Sequence, residues 1–93
     1  MITAIVLINV ERTKLREVVK DVLAIDGVSE LHTVAGEYDL AAIVRVKDNL
    51  QLSDIVVNKM PHNIPGIIHT KTLVSLQSQS KIDIDAVFGM KNS

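Results

Sequence analysis

The first ten residues contain the feature that most constrains how this chain can fold. The run from Ile2 to Val10 is rich in β-branched residues, which favour a strand. Apolar side chains occupy the middle of both its faces: Ile2, Ala4, Val6, Ile8 and Val10 on one, and Ile5 and Leu7 on the other. A surface strand has only one apolar face. We therefore predict a central strand with a packed layer over each face.

Two amphipathic helices are predicted from apolar residues at helical spacing. The first occupies residues 11–25 and has one apolar stripe, formed by Leu15, Val18, Val19, Val22 and Leu23. The second begins at Asp48, because Asp48 and Gln51 have the spacing of a capping box. Its buried stripe consists of Leu52, Ile55, Val56 and Met60. Pro61 is expected to end this helix, since proline disfavours the helical conformation of the residue before it.

Three more strands are predicted, at residues 28–35, 38–47 and 67–76. The pattern of the first is mixed and puts Val28, Glu30, His32 and Val34 on one side, as is common at a sheet edge or an interface. The order is then β-α-β-β-α-β. Right-handed crossovers place both helices on one face of a four-stranded antiparallel sheet. The predicted fold class is α+β, a ferredoxin-like sandwich.

The predicted helices cover one face of the sheet and leave the other open. That open face carries apolar side chains, among them Ile5, Leu7, Ala41 and Ile43. A specific interface typically buries about 800 Å² per partner, and burial of this apolar surface favours association. We therefore predict a homodimer formed face to face through the sheets.

The chain of 93 residues is expected to form one domain, at residues 1–77, followed by a C-terminal extension at residues 78–93. The extension contains an apolar piece, with Ile82, Ile84, Ala86, Val87 and Phe88, that fits a strand or a helical turn. An apolar segment on so small a domain suggests an arm that contacts a neighbouring subunit.

Composition excludes several classes of function. The net charge of −1 leaves no electrostatic footprint for nucleic acid or anionic lipid. The sequence has no Cys, so disulfides, thiolate metal sites and a Cys nucleophile are ruled out, which fits a cytoplasmic protein. Its three histidines, His32, His62 and His69, are scattered and lack the i, i+4 spacing of a helical metal site. We expect no metal, no cofactor and no membrane association.

The stretch Gly36-Glu37-Tyr38-Asp39 lies between two predicted strands and is the candidate site. Glycine accepts the positive φ of a type II′ corner, so Gly36-Glu37 is predicted to form a tight two-residue hairpin turn. The turn would put an aromatic ring and a carboxylate, those of Tyr38 and Asp39, at the start of the next strand. A purely structural interpretation is also available: Gly for the corner, Tyr for packing and Asp as a turn acceptor.

Four short motifs together resemble a known family. They are the opening I-V-L-I-N-V, the hairpin V-A-G-E-Y-D-L, the I-P-G-I at residues 64–67 and the T-K-T-L at residues 70–73. This combination resembles the effector-binding domain of the Lrp/AsnC transcriptional regulators, called RAM for regulation of amino acid metabolism. The resemblance implies dimers joined through their sheets, further assembly to an octamer or similar ring, and a small effector, usually an amino acid, bound between dimers.

The resemblance also implies a set of ligand-binding residues. The hairpin would line the effector pocket with Gly36, Glu37, Tyr38 and Asp39, whose backbone groups and carboxylate would hold a zwitterion. Hydroxyls from the last strand would assist: Thr70, Thr72 and Ser75. For the threonines, strand propensity is the competing explanation. The pocket would be half formed in one subunit and completed by assembly.

Family members normally carry an N-terminal helix-turn-helix domain, whereas this chain starts directly with the first strand. We expect a stand-alone, non-enzymatic domain that does not bind DNA and that senses an amino acid or modulates a full-length Lrp/AsnC regulator. The alternatives are a small ferredoxin-like dimeric enzyme of the monooxygenase kind and a ligand-free assembly module. An acylphosphatase is disfavoured because no Gly-rich phosphate loop follows the first strand. An RNA-recognition module would need more aromatic side chains on its sheet.

Overall fold

The computed structural model describes residues 1–79 and 81. Strand β1 spans Ile2–Val10 and is followed by a 3₁₀ turn at Arg12–Lys14 and by helix α1 at Leu15–Leu23. Strands β2 at Val28–Thr33 and β3 at Leu40–Val46 come next. The second helical segment consists of α2 at Asn49–Ser53, a π-helical stretch at Asp54–Lys59 and α3 at Met60–Asn63. Strand β4 spans Ile67–Ser75. The apolar piece predicted at residues 82–88 lies outside the described residues.

The four strands form one antiparallel sheet in the order β2-β3-β1-β4. Strand β1 is therefore hydrogen-bonded on both sides, as its two apolar faces predict. The buried core lies between the sheet and the helices, and β1 and β3 contribute alternate residues to it: Ala4, Val6, Ile8, Val10, Leu40, Ala42, Val44 and Val46. The helical side contributes Val18, Val22, Leu52, Ile55, Met60 and Ile64. The predicted α+β, ferredoxin-like arrangement is confirmed.

The other face of the sheet is not covered by any described element. Ile5 pairs with Ile43 on one side and with Leu73 on the other, and Leu7 pairs with Ala41. These side chains are half-buried or exposed in the single chain. The predicted apolar open face is thus present within the part of the chain that the structure describes.

One prediction about β2 is wrong. The alternation in sequence predicts that Val28, Glu30 and His32 share one side of the strand. In the structure the register shifts between Val28 and Glu30, so that Val28 pairs with Val44 and Glu30 pairs with Ile43. A bulge of this kind adds a residue to one strand and reverses the facing of those beyond it. Glu30 therefore lies beside Ile43 on the open face, whereas Val28 packs against the core.

Pro61 does not end the second helical segment, contrary to the prediction. The segment continues to Asn63, and the Met60 N–H donates to the carbonyl of Ile55, five residues back. Such π-type hydrogen bonding widens the helix just before Pro61. Because Pro61 stands at the start of α3, where an N–H has no partner within that element, its missing donor does not interrupt the segment.

Candidate functional site

The β2–β3 hairpin is wider than the predicted two-residue turn. Strand β2 ends at Thr33, which pairs with Leu40, and the closing hydrogen bond runs from the Val34 N–H to the Asp39 carbonyl at 2.9 Å. Four residues, 35–38, therefore form the loop. The register places the middle of the loop between Gly36 and Glu37, as predicted, but the tight type II′ turn is wrong. Gly36 has a φ of 132°, and a Cβ atom added there would meet nothing within 4 Å.

The turn opens because Asp39 pairs with β1. Its backbone N–H donates to the Ile8 carbonyl at 3.0 Å, and its side-chain Oδ2 accepts from the Val10 N–H at 2.9 Å. The Asp39 side chain is therefore a hydrogen-bond acceptor, as predicted, but its donor lies 29 residues away in β1 and not in the turn. These two bonds fix the half-buried Asp39 carboxylate at the C-terminal end of the central strand.

Tyr38 points toward the first residues of β4. Its ring centroid lies 6.5 Å from that of His69, with the rings tilted by 49°. This distance lies within the range of favourable aromatic pairs. His69 pairs with Asn9 in the sheet, so the contact spans the end of β1. Sequence reasoning treated His69 as an ordinary strand residue, and only the strand order identifies it as a neighbour of the hairpin.

The hydroxyl-bearing candidates on β4 lie at different distances from the hairpin. Thr70 pairs with Ile8 and Thr72 with Val6, so both face the helical side and are half-buried. Thr70 is across β1 from Asp39, about 10 Å at two strand spacings. Ser75 pairs with Thr3 at the other end of β1. Within one chain the structure brings Tyr38, Asp39 and Thr70 to one end of the sheet, and it leaves Ser75 at the opposite end.

A small cavity lies beside Asp39. Its volume is about 310 Å³, and it is lined by Val10, Arg12, Leu15 and Asp39. A shallower groove of about 600 Å³ shares Arg12 and Leu15 and continues along α1 to Val19 and Thr33. Glu37 and Gly36 are exposed at the loop tip and belong to the lining of neither space. Sequence reasoning missed Arg12, because it assigned the charges at the start of the first helix to a solvated surface.

Among residues 1–79 and 81, no group of three or more His, Cys, Asp or Glu side chains is placed to hold a metal ion. An exposed polar cluster elsewhere joins β2 to β3: Glu30 Oε1 lies 3.0 Å from His32 Nε2, and its Oε2 lies 3.8 Å from Arg45 Nη1. In the part of the chain that is described, no helix is long and apolar enough to cross a membrane.

Comparison with known proteins identifies the family. Residues 3–82 match the model of the Lrp/AsnC ligand binding domain. The chain belongs to this family. An uncharacterized HTH-type transcriptional regulator of Pyrococcus horikoshii is 42% identical over 60 residues, which make up 64% of this chain and 39% of that protein. The Lrp/AsnC domain described here thus spans about two fifths of the length of the curated relatives that it matches.

Solved structures agree with the fold of this Lrp/AsnC domain. The crystal structure of TTHA0845 from Thermus thermophilus has a TM-score of 0.80 and 32% identity, over 87% of this chain and 100% of that one. AsnC of E. coli has a TM-score of 0.80 at 21% identity, over 89% of this chain and 56% of its own. A Neisseria meningitidis transcriptional regulator, described as a complex with L-Met, has a TM-score of 0.78 at 12% identity, over 94% and 59%. The last two likenesses concern the fold alone.

Proposed function

We propose that this Lrp/AsnC domain binds a free amino acid at the hairpin end of its sheet and acts as a sensing domain in transcriptional regulation. The observation that carries the proposal is the Asp39 carboxylate, which lines a 310 Å³ cavity in a chain that belongs to a ligand-binding family. This volume is at the lower end of the range of about 300–1,000 Å³ for small-molecule pockets. A related structure described as an L-Met complex supports the choice of ligand class.

Asp39 is suited to receive the ammonium group of an amino acid. Oδ2 accepts the Val10 N–H, which orients the carboxylate and leaves Oδ1 as the acceptor for a ligand. Charge-assisted hydrogen bonds from an ammonium to a carboxylate are about twice as strong as neutral ones. Gly36 and Glu37, through their exposed backbone groups, and Tyr38 and Thr70, through their hydroxyls, stay candidates for further contacts with the ligand.

Assembly is the second part of the proposal. The open face carries Ile5, Leu7, Ala41, Ile43 and Leu73, and a second copy of this chain is its proposed occupant. Further association into a ring would close the hairpin pocket with a wall from another dimer. Thr72 and Ser75 stay candidates for that wall, since Ser75 reaches the hairpin end only from a second subunit. A full-length Lrp/AsnC regulator is a further proposed partner, through mixed assembly on the same face.

A thermal-shift screen with the twenty amino acids tests the proposed ligand. A ligand that binds only the folded state at 100 times its Kd stabilises the protein by about 2.7 kcal/mol. Asp39→Asn should abolish the shift, because Asn keeps an acceptor for the Val10 N–H and loses the negative charge. Glu37→Gln is the matched control at the exposed loop tip. The absence of any shift at millimolar concentrations would refute amino acid binding.

A ligand-free assembly domain is the second candidate, and the bond from the Val10 N–H to Asp39 favours it, because that bond already gives the carboxylate a structural role. Sedimentation velocity at micromolar concentration, with and without the ligand found in the screen, separates the two functions. Ligand-dependent change in the distribution of dimers and larger rings supports the sensor. A monomer under both conditions would contradict the proposed assembly.

A further inference from the structure

We infer that Arg12 holds the carboxylate of the bound amino acid, opposite the Asp39 carboxylate that receives its ammonium group. This inference rests on the proposed function and adds a second charged residue to the same site. Arg12 and Asp39 line the 310 Å³ cavity together. A ligand that pairs with both would need one negative and one positive end, as a free amino acid has, whereas a simple amine or a simple carboxylic acid would pair with only one of them.

The backbone at Arg12 is held in place by the sheet. The Glu11 N–H donates to the Gly66 carbonyl at 2.9 Å, and the Lys14 N–H closes the 3₁₀ turn on the Glu11 carbonyl at 2.9 Å. The turn that carries Arg12 therefore begins directly after β1 and is bonded at that end to Gly66, the residue before β4, and it continues into α1. Asp39 is anchored to Val10, two residues before Arg12. Both charged residues therefore project from backbone segments fixed to the end of one strand.

The two opposite charges line one cavity and do not form an ion pair within 4.0 Å of each other. Among the described residues, ion pairs within 4.0 Å join Glu30 to His32 and Arg45, and Asp54 to Lys59, but none involves Arg12 or Asp39. The exposed Arg12 guanidinium offers several N–H donors in a planar fork that matches a carboxylate. A zwitterion placed between the two side chains would pair with both, and this is the arrangement that the open space allows.

The remaining walls of the cavity are apolar. Val10 is only 6% exposed, and Leu15 is half-buried. They exclude water from one side of the cavity, which strengthens electrostatic contacts made there. The adjoining 600 Å³ groove begins at Arg12 and Leu15, so a ligand held by its two charged ends can extend its side chain along α1 toward Val19.

Isothermal titration calorimetry on the full chain tests the role of Arg12. The probe is the amino acid that gives the largest thermal shift, together with its carboxamide and its desamino acid. Wild type should prefer the amino acid over both analogues. Arg12→Gln should weaken binding of the amino acid about 10- to 100-fold, because a hydrogen-bonded charge pair is lost, and should remove the preference over the carboxamide. Arg12→Lys keeps the positive charge but lacks the planar fork of donors, so its affinity for the amino acid should lie between those of wild type and Arg12→Gln.

Lys14→Gln is the matched control, since Lys14 is an exposed cation on the same 3₁₀ turn and belongs to the lining of neither the smaller cavity nor the groove. It should change affinity by less than about 3-fold, as expected for an exposed charge. If Arg12→Gln binds the amino acid normally and still rejects the carboxamide, the carboxylate is held elsewhere: the inference fails and the proposed function stands. If wild type binds no amino acid, both fail. Normal binding by Arg12→Gln with marked loss in Lys14→Gln would also refute the assignment.

Discussion

Gly66 precedes β4 at a point where the chain passes very close to the 3₁₀ turn. A Cβ atom added to Gly66 would lie 2.6 Å from the Lys14 Cβ and 3.0 Å from the Val18 Cγ2, and the residue has a φ of 100°. Real Cβ atoms do not approach a neighbouring Cβ this closely, so Gly66→Ala must displace the backbone of β4 or of the turn. Gly36→Ala is a matched control, because Gly36 also has a positive φ, 132°, but open space around it.

The two variants separate backbone conformation from crowding. Alanine in a sparsely populated φ/ψ region costs roughly 1–3 kcal/mol, and both variants incur that cost. Overpacking adds about 1–3 kcal/mol, and only Gly66→Ala incurs it. We therefore expect Gly66→Ala to lower the free energy of unfolding by about 2 kcal/mol more than Gly36→Ala, given the middle of the overpacking range.

Equilibrium urea denaturation followed by circular dichroism measures this difference. With an m-value of about 1.5 kcal/mol per molar urea, a difference of about 2 kcal/mol separates the two midpoints by about 1.3 M. All samples must have the same protein concentration, because association contributes to apparent stability. Equal midpoints for the two variants would refute the argument from crowding and leave conformation as the whole explanation for glycine at position 66.

Three more substitutions test other parts of the structure. Asp48→Ala removes the side chain that accepts the Gln51 N–H at 2.9 Å, so chemical denaturation should show a loss of about 1 kcal/mol. Ile8→Ala in the fully buried core should cost about 2–5 kcal/mol, whereas Ile68→Ala, at a side chain 66% exposed, should change stability by less than about 0.5 kcal/mol. Leu7→Glu places a charge on the open face and should shift sedimentation toward monomer; an unchanged dimer would place the interface elsewhere.

The order of helices and strands along the chain and the central position of β1 could be predicted because they depend on local patterns. Two apolar faces identify β1 as a central strand, and one apolar stripe identifies each helical segment. The place of the hairpin loop was also predictable, since Gly36, which accepts a positive φ, lies between two runs that favour strands. Periodicity is a property of neighbouring residues in sequence, so it is visible before the chain is folded.

The details that could not be predicted depend on contacts between distant residues. The turn opens because the Asp39 carboxylate accepts an N–H from Val10, which is 29 residues away. The bulge at Val28 reverses the facing of Glu30, and no local signal marks it. Proline disfavours the helical conformation of the residue before it, but the helical segment continues through Pro61 because the hydrogen bonding just before it is of the π type. Arg12 belongs to the candidate cavity because of where the 3₁₀ turn meets the hairpin, and not because of its sequence neighbours.

The hydrogen bond from the Val10 N–H to Asp39 makes the Val10 amide a reporter of the position of the Asp39 carboxylate. The Val10 amide donates to a side chain, whereas other amides of β1 donate to neighbouring strands. A ligand that draws the Asp39 carboxylate away would free the Val10 amide for exchange with solvent. A ligand that binds the carboxylate in its present position would slow the exchange of that amide. Hydrogen exchange followed by NMR at Val10, with the amide of Val6 as the internal reference, would therefore distinguish a pocket that rearranges from one that is already formed.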